Sequence, residues 1–391
     1  MICVGIDVSK DKHDCCILSS DGQLLLKPFS VPNNRHGFDS LYSAILSFEN
    51  DPDKVKVGLE ATGHYSFNIL GYLLEKGIHC FVFNPLHTNL YRKSLTLRKT
   101  KTDKVDSKII AKMLLSEVDL KPYSKTLYHN EQLKSLSRYR FSKIRERGNL
   151  KQQLARLVNI LFPELETLVP SLHLSSVYAL LEEFPGASYV AKAHITRLSN
   201  LLCASSKGHY KKDKAVEIRN AASSSVGSVM PAKSLELKHT IQLIRILSEE
   251  IDEIETQIQE IMEKIQSPIT SIPGLGFRMA AMILSEIGNF SKFDSPDKIL
   301  AFAGISPSTY QSGKLDNAYA HMEKRGSRYL RYALYNAAIY VCHWDKTFSA
   351  YLQKKRAEGK HYYVALSHAI KKLVRVIYRL QLTGEPYRPA V

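Results

Sequence analysis

Apolar and polar positions follow different rhythms in different parts of this chain, and each rhythm predicts its own kind of element. Ile2-Cys3-Val4-Gly5-Ile6 is a short apolar strand closed by Asp7, and His13 to Ser19 and Leu24 to Val31 suit two further strands with Asp21-Gly22 as the hairpin turn between them. A helix is expected over Phe38 to Phe48, a strand over Val55 to Glu60, a helix over Phe67 to Glu75 and a strand over Ile78 to Phe83. Strands first paired by a hairpin and then alternating with helices imply a mixed α/β sheet.

From about residue 128 the rhythm becomes that of long helices. Leu150, Leu154, Leu157 and Leu161 recur at spacings of four, three and four. Ile244, Leu247, Ile251, Ile254, Ile258, Ile261 and Ile265 continue the pattern as a coiled-coil seam, which requires a partner helix from this chain or from another subunit. Between the two, the small polar run from Asn220 to Ser228 reads as a flexible linker. A further, mainly helical region begins near Ser271, punctuated by Pro273-Gly274, Ser295-Pro296 and Ser306-Pro307. It ends in a helix from about Tyr362 to Leu382 with one basic face. The expected organisation is an α/β domain over 1–125, a helical coiled-coil region over 126–268 with a flexible insert near 200–230, and a helical domain over 269–391.

Charge narrows the function. Lys plus Arg is 54 against 38 Asp plus Glu, a formal net charge of +16, which favours a polyanionic partner because each phosphate contact releases condensed counterions. A membrane surface would attract the same charge, but no apolar run approaches the length of a span, and no signal peptide or lipidation motif is present. A cytoplasmic, membrane-free protein is expected. The six cysteines form no CxxC pair, so they read as reduced, buried apolar residues rather than a zinc site.

Four carboxylates stand out by position. Asp7 and Glu60 close strands, and Asp103 and Asp106 sit three apart on one face as a helix begins. Residues just past strand ends gather at one edge of an α/β sheet. Together the four supply hard oxygen ligands suited to Mg²⁺, and two such ions can activate the attacking oxygen and stabilise the leaving one in phosphoryl transfer. Each acid alone also suits a turn or a helix cap. Their flanks favour chemistry: Lys99, Lys101 and Lys104 surround Asp103 and Asp106 as a phosphate-contacting edge would, and Ala61-Thr62-Gly63 after Glu60 is a tight turn that lets a backbone come close.

Three further stretches suit nucleic acid. Lys134, Arg138, Arg140, Lys143, Arg145, Arg147, Lys151 and Arg156 lie on one predicted helix with Glu146 as the sole acid between them, an imbalance that points to phosphate contact rather than a solvated face. Pro273-Gly274-Leu275-Gly276 before an apolar helix resembles a helix-hairpin-helix turn, which aims backbone N–H groups at a phosphate. Arg325, Arg328 and Arg331 form another basic edge.

The segments Gly5-Ile-Asp-Val-Ser-Lys10, Glu60-Ala-Thr-Gly63 and Lys101-Thr-Asp-Lys-Val-Asp106 resemble the DEDD motifs of the IS110 transposases, relatives of the Piv-type DNA invertases. Ile272-Pro-Gly-Leu-Gly276, Ala301-Phe-Ala-Gly-Ile-Ser-Pro307, Gln311-Ser-Gly313 and Lys324-Arg-Gly-Ser-Arg-Tyr-Leu-Arg331 resemble the C-terminal domain of that family, in the same order. The resemblance implies a RuvC-like, RNase H-like N-terminal domain with Asp7, Glu60, Asp103 and Asp106 as metal-binding acids. It implies Ser312 as the nucleophile, joined transiently to DNA, with Gly313 beside it where a phosphodiester can approach. It further implies a structured guide (bridge) RNA, element-end and target DNA, and a homo-oligomer, dimer or tetramer. Residues 163 to 230 and Leu315 to Glu323 depart from the family pattern. Taken without the resemblance, Ser312 is a plain loop serine with Ser306, Ser308, Thr309, Tyr310 and Tyr319 as rivals, and no His or Lys at a diagnostic spacing activates it. The competing readings are a RuvC-like nuclease or junction resolvase using metal-activated water, and a non-enzymatic nucleic-acid scaffold.

Overall fold

Alternation at the N-terminus produces β1 (Ile2–Val8), β2 (Lys12–Ser19) and β3 (Leu24–Pro32), with Gly22 at φ +82° making the turn that only a residue without Cβ takes freely. The computed structural model describes residues 1–60, 65–95, 103–116, 120, 122–123, 126–306, 311–312, 315–316 and 322–389; the side chains at 86, 103–104, 126–130, 311–312 and 315–316 lie outside that description. The chain divides into two compact units, Met1–His129 and Asn130–Val391.

In the first unit α1 (Arg35–Leu46), β4 (Val55–Glu60), α2 (Ser66–Glu75), β5 (His79–Phe83), α3 (Pro85–Leu95) and α4 (Asp103–Ser116) complete a five-stranded sheet in the order β3-β2-β1-β4-β5. The first three strands are antiparallel, and β4 and β5 run parallel to β1. The mixed sheet is therefore as expected. Helix α1 starts three residues earlier than its apolar rhythm suggests because Asn34 caps it, accepting a hydrogen bond from the Gly37 N–H at 2.9 Å. One face of the sheet carries Ile2, Val4, Ile6, Val55, Val57 and Leu59 against Leu41, Ile45, Ile69 and Leu73. The other carries Cys3, Phe81 and Phe83 against Ile110, Met113 and Leu114 of α4.

The second unit is helical apart from β6 (Gln311–Ser312) and β7 (Leu315–Asp316). Its frame is two long helices, α5 (Thr126–Leu161) and α11 (Pro231–Ile265). Between them come α6 (Leu165–Leu168), α7 (Ser175–Glu183), α8 (Ala187–Lys192), α9 (Ile195–Ser205) and α10 (Lys212–Ser223). After them come α12 (Phe277–Ile287), α13 (Pro296–Phe302), α14 (Arg328–Trp344), α15 (Lys346–Ala357) and α16 (Tyr362–Thr383). The two long helices run antiparallel: Arg140 meets Glu255, Arg147 meets Ser248 and Gln153 meets Glu236.

The apolar seam of α11 does find a partner within the chain, but not one helix along its length. Its first half, Leu237, Ile241 and Ile244, enters a cluster with Leu154, Leu157 and Leu161 of α5 and with α7 to α10. Its second half, Ile254, Ile258 and Met262, enters the core formed by α12 to α16. The seam is thus divided among several helices, whereas a coiled coil would keep one partner throughout.

The stretch expected to be a flexible linker is tied down. Helix α10 runs to Ser223. Beyond it the Val226 N–H donates to Glu164 at 3.0 Å and the Ser228 N–H to the Ile160 carbonyl at 2.8 Å. A Cβ on Gly227 would stand 2.4 Å from the Leu161 carbonyl oxygen, so its small residues serve close packing rather than freedom.

Candidate active site

Strand register decides which acids meet. Ile6 on β1 lies beside Leu59 on β4, so the next pair along these parallel strands is Asp7 and Glu60. Side chains alternate across a strand, which puts both carboxylates on the face opposite Ile6 and Leu59, the face that α4 covers. Gly5 and Gly58 share that face. A Cβ on Gly5 would fall 2.1 Å from the Ser107 carbonyl oxygen and 2.4 Å from the Ala111 nitrogen, and one on Gly58 would fall 2.8 Å from the Ile110 side chain. The backbone of α4 therefore rests directly on β1 at Gly5, and its Ile110 side chain rests on β4 at Gly58. Cys3 clusters with Met113 and Leu114, while Gly5 meets Ser107 and Ala111, so α4 runs antiparallel to β1 and its first turn lies toward Asp7. Asp103 and Asp106 occupy that turn.

Asp106 is buried at 8% exposure. Its carboxylate accepts from Arg92 Nη1, at 3.1 Å to Oδ1 and 3.5 Å to Oδ2. The side chain of Asp103 lies outside the described residues, as do Ala61-Thr62-Gly63, Lys99, Lys101 and the Lys104 side chain. Among the described residues no three His, Cys, Asp or Glu side chains stand close enough together to hold a metal ion.

Ser312 sits on β6, which pairs antiparallel with β7, with Leu315 as its partner. Its side chain, Gly313, Ser308, Thr309, Tyr310 and Tyr319 lie outside the described residues. The base of the segment that carries it is closely built. The Glu323 N–H donates to the Ser306 carbonyl at 3.2 Å and the Ser327 N–H to the Phe302 carbonyl at 2.9 Å. Arg331 Nη1 donates to the carbonyls of Ala303 at 2.9 Å and Lys324 at 3.2 Å, crossing from one side of the base to the other. Arg331 is thus a structural clasp, which corrects the expectation that its guanidinium is offered to nucleic acid. Arg325 and Arg328 are exposed, and Arg328 lies over the Tyr329 ring at 4.8 Å.

The basic helix needs a larger correction. Arg138 makes a fork to Glu286 of α12, Nε at 2.6 Å and Nη2 at 3.0 Å. Burial opposes the charge of Arg138, but the hydrogen bonds and charge of Glu286 outweigh it and hold its pKa above the ordinary value. Arg140, 8% exposed, pairs with Glu255, which also binds Arg278 at 2.6 Å. Lys143 pairs with Glu250 at 2.7 Å, and Arg147 donates to Ser248 at 3.1 Å. The acids that seemed missing come from α11 and α12, so most of the expected phosphate-binding face is engaged within the fold. Arg145 and Arg156 remain exposed.

The Pro273-Gly274 turn is likewise occupied. Gly274 has φ +85°, and a Cβ there would lie 2.5 Å from the Tyr340 carbonyl oxygen on α14. That glycine fits the turn against a neighbouring helix rather than presenting it to a phosphate. Gly276, which begins α12, faces open space.

Sequence reading missed three groups. Glu286, buried on α12, accepts the Arg138 fork and a hydrogen bond from the Ser327 hydroxyl at 2.6 Å, while Ser327 itself caps α14. Asp14 stands directly across from Asp7 on β2 and is ion-paired with Lys12 at 3.1 Å. Arg92 gave no local signal beyond being one more cation near the end of a helix.

Comparison with known proteins bears on the family. A family model described as Transposase, of the DEDD type found in IS110 elements, matches residues 4–163. One described as Transposase IS116/IS110/IS902 family matches residues 266–353. The chain is similar to the 44.8 kDa protein of insertion element IS116 from Streptomyces clavuligerus, 23% identical over 100% of this chain and 96% of that relative. It is also similar to the pilin gene-inverting protein of Moraxella bovis, 22% identical over 98% of this chain and 97% of that relative. Among solved structures, T. thermophilus RuvC in complex with a Holliday junction substrate matches 32% of this chain and 100% of that chain at 12% identity and a TM-score of 0.23, a level at which nothing is carried over.

Proposed function

Since the chain belongs to the IS110 family of transposases and is a DNA recombinase, we propose that it cuts and rejoins DNA with an acidic, RuvC-like centre on the α/β unit and a serine nucleophile on the helical unit. The observation that carries this reading is the shared sheet face of Asp7 and Glu60, with the first turn of α4 bearing Asp103 and Asp106 lying toward it.

In chemistry the donors suit a divalent metal, although among the described side chains Asp7, Glu60 and Asp106 do not stand close enough together to hold one. All are hard carboxylate oxygens, and at Asp106 a cationic nitrogen already stands against both oxygens of one carboxylate. Asp7, Glu60, Asp103 and Asp106 would hold Mg²⁺, which when bound lowers the barrier by neutralising charge on the reacting phosphate. The protein's own part is to fix these acids. Strand pairing orients Asp7 and Glu60, and the seat of α4 on Gly5 and Gly58 keeps Asp106 from drifting away from them.

Ser312 then attacks the phosphodiester. Its Oγ–P bond forms as the bond from phosphorus to one deoxyribose oxygen breaks; the hydroxyl proton leaves to solvent and the departing oxygen takes one up. Resealing reverses these transfers on a different strand. The clasp of Arg331, Gly304 and Gly326 fixes the two ends of the segment that carries the serine. We assign a structured guide RNA, element-end and target DNA, a homo-oligomeric active form and a cytoplasmic location to the same reading. No described helix is long and apolar enough to cross a membrane.

The test is capture of a protein–DNA adduct on a denaturing gel in Mg²⁺. Wild type is expected to give the adduct and Ser312→Ala none. Cleavage by Ser312→Ala without an adduct would instead favour metal-activated water.

A further inference from the structure

We propose that Arg92 is a built-in counter-ion of the acidic centre: its guanidinium holds Asp106 while the centre is metal-free and must let go for a divalent cation to bind. The inference rests on the reading of Asp106 as a metal ligand. It goes further by assigning a competitor for that ligand within the chain.

Three observations lead to it. Asp106 is buried on the side of α4 that faces the sheet, and a buried carboxylate needs a partner. Among the described residues its partner is a single nitrogen, Arg92 Nη1, set across both oxygens at 3.1 and 3.5 Å. That is the position from which a cation would bind the carboxylate through both oxygens. The second terminal nitrogen, Nη2, is held at 2.8 Å by the Asn89 side chain one turn earlier on α3, so the guanidinium is aimed at Asp106 rather than resting there by chance.

The pair is therefore not a structural salt bridge of the usual fork kind, in which two nitrogens meet two oxygens. Only one nitrogen is committed to the acid, and the Arg92 side chain keeps 25% of its surface in solvent, so it has somewhere to go. A positive group at this point keeps the carboxylates of the centre from repelling one another before metal arrives. Once a divalent ion neutralises them, the same guanidinium is left beside a second cation, and repulsion drives it outward. Arg92 is thus a positioning residue that sets how tightly metal binds, with α3 as the arm that carries it.

The experiment is calorimetric titration of the full-length, DNA-free protein with Mn²⁺, for wild type, Arg92→Ala, Arg92→Lys and Asn89→Ala. Arg92→Ala is expected to bind Mn²⁺ about tenfold more tightly than wild type, as removal of one partly exposed competing charge implies. Arg92→Lys should fall between the two, and Asn89→Ala should shift the same way by a smaller factor. Arg92→Ala should also have a lower melting temperature without metal and a larger rise on adding it, which a purely structural pair would not produce. Asn89→Ala keeps the test valid if Arg92→Ala does not fold. Wild-type binding that Arg92→Ala and Asn89→Ala leave unchanged, or weaken, overturns the inference alone. Absence of binding in every variant overturns the metal reading with it, whereas binding by Arg92→Ala where wild type shows none supports both.

Discussion

The two faces of the N-terminal sheet come from the same strands and are built on opposite rules. One face is branched and bulky, with Ile2, Val4, Ile6, Val55, Val57 and Leu59 meeting the side chains of α1 and α2. The other is low where α4 crosses it, with Gly5 admitting the helix backbone, Gly58 admitting the Ile110 side chain, and Asp7 and Glu60 beyond them. Side chains packed on side chains give stability with some freedom to readjust. A backbone set on a backbone has no such slack, so whatever stands on the helix's first turn is located relative to the strand ends. The bulky face holds the unit together and the low face holds a geometry.

The largest effect that would sharpen this contrast is at the acids. Asp7→Asn and Glu60→Gln are each expected to lower strand cleavage by at least about a hundredfold, in the range seen when a group that stabilises reacting charge is removed. Their melting temperatures should stay level or rise, since like charges are being taken away. A fall in both activity and stability would mean that these acids serve the fold.

Packing changes should separate the faces next. Leu41→Ala, on the bulky face, is expected to cost about 2–5 kcal/mol in urea unfolding while the remaining folded protein still responds to metal. Gly5→Ala should cost about 1–3 kcal/mol by pushing α4 off the strand, and should abolish the metal response even in the folded fraction. If Gly5→Ala melts lower but keeps its metal affinity, the low face is packing and nothing more.

A weaker handle is pH. His13 is fully buried on the bulky face, stacked on Phe38 at 5.8 Å, and neither ring nitrogen has a hydrogen-bond partner of proper geometry among the described residues. Burial pushes its pKa below the ordinary 6.5, although nearby Asn33 and Asp14 pull it partly back. The unfolded chain therefore binds the proton more readily. The stability involved is fully present above about pH 6.5 and is lost as pH falls toward the lower folded value. Urea midpoints at pH 7.5 and 5.5 should differ more for wild type than for His13→Leu; equal differences would remove His13 from the account.

The smallest effect has the opposite sign. Gly71 lies within α2, on the bulky side, and a Cβ there meets nothing within 4 Å. Gly71→Ala should stabilise the unit by about 0.5–1 kcal/mol through helix propensity alone. Glycine is expendable on one face and indispensable on the other.

Much of the first unit was legible because its signals are local. Strand alternation, the Asp21-Gly22 turn and acids at strand ends all act within a few residues; the Asn34 cap is equally local, but the apolar rhythm by itself passes over it and begins α1 three residues late. What could not be read locally was anything decided by a distant partner. Gly5 looks like a weak point in a strand until Ser107 is placed above it. The basic stretch of α5 looks uncompensated because its acids lie 115 and 148 positions away, at Glu255 and Glu286. Small residues from 220 to 228 look loose because Glu164 and Ile160, which hold them, belong to another part of the chain. Lengthwise division of the α11 seam among several helices was hidden for the same reason.

The Glu286 junction bears on how this protein can be recombined with its own relatives. A chimera joined at about residue 268 takes α12 to α16 as a cassette and leaves α5 behind. In this fold that cut parts Glu286 from Arg138, and a carboxylate with 1% of its side chain exposed would be left facing whatever residue the recipient supplies. A buried carboxylate that loses its ion partner is strongly destabilising, and although Glu286 would keep the Ser327 hydroxyl, the loss of the half-exposed Arg138 would weaken a marginal hybrid. The transferable module is therefore discontinuous: the C-terminal helices travel only together with the start of α5, and a graft should carry Arg138 with Glu286 or replace both by a matched apolar pair.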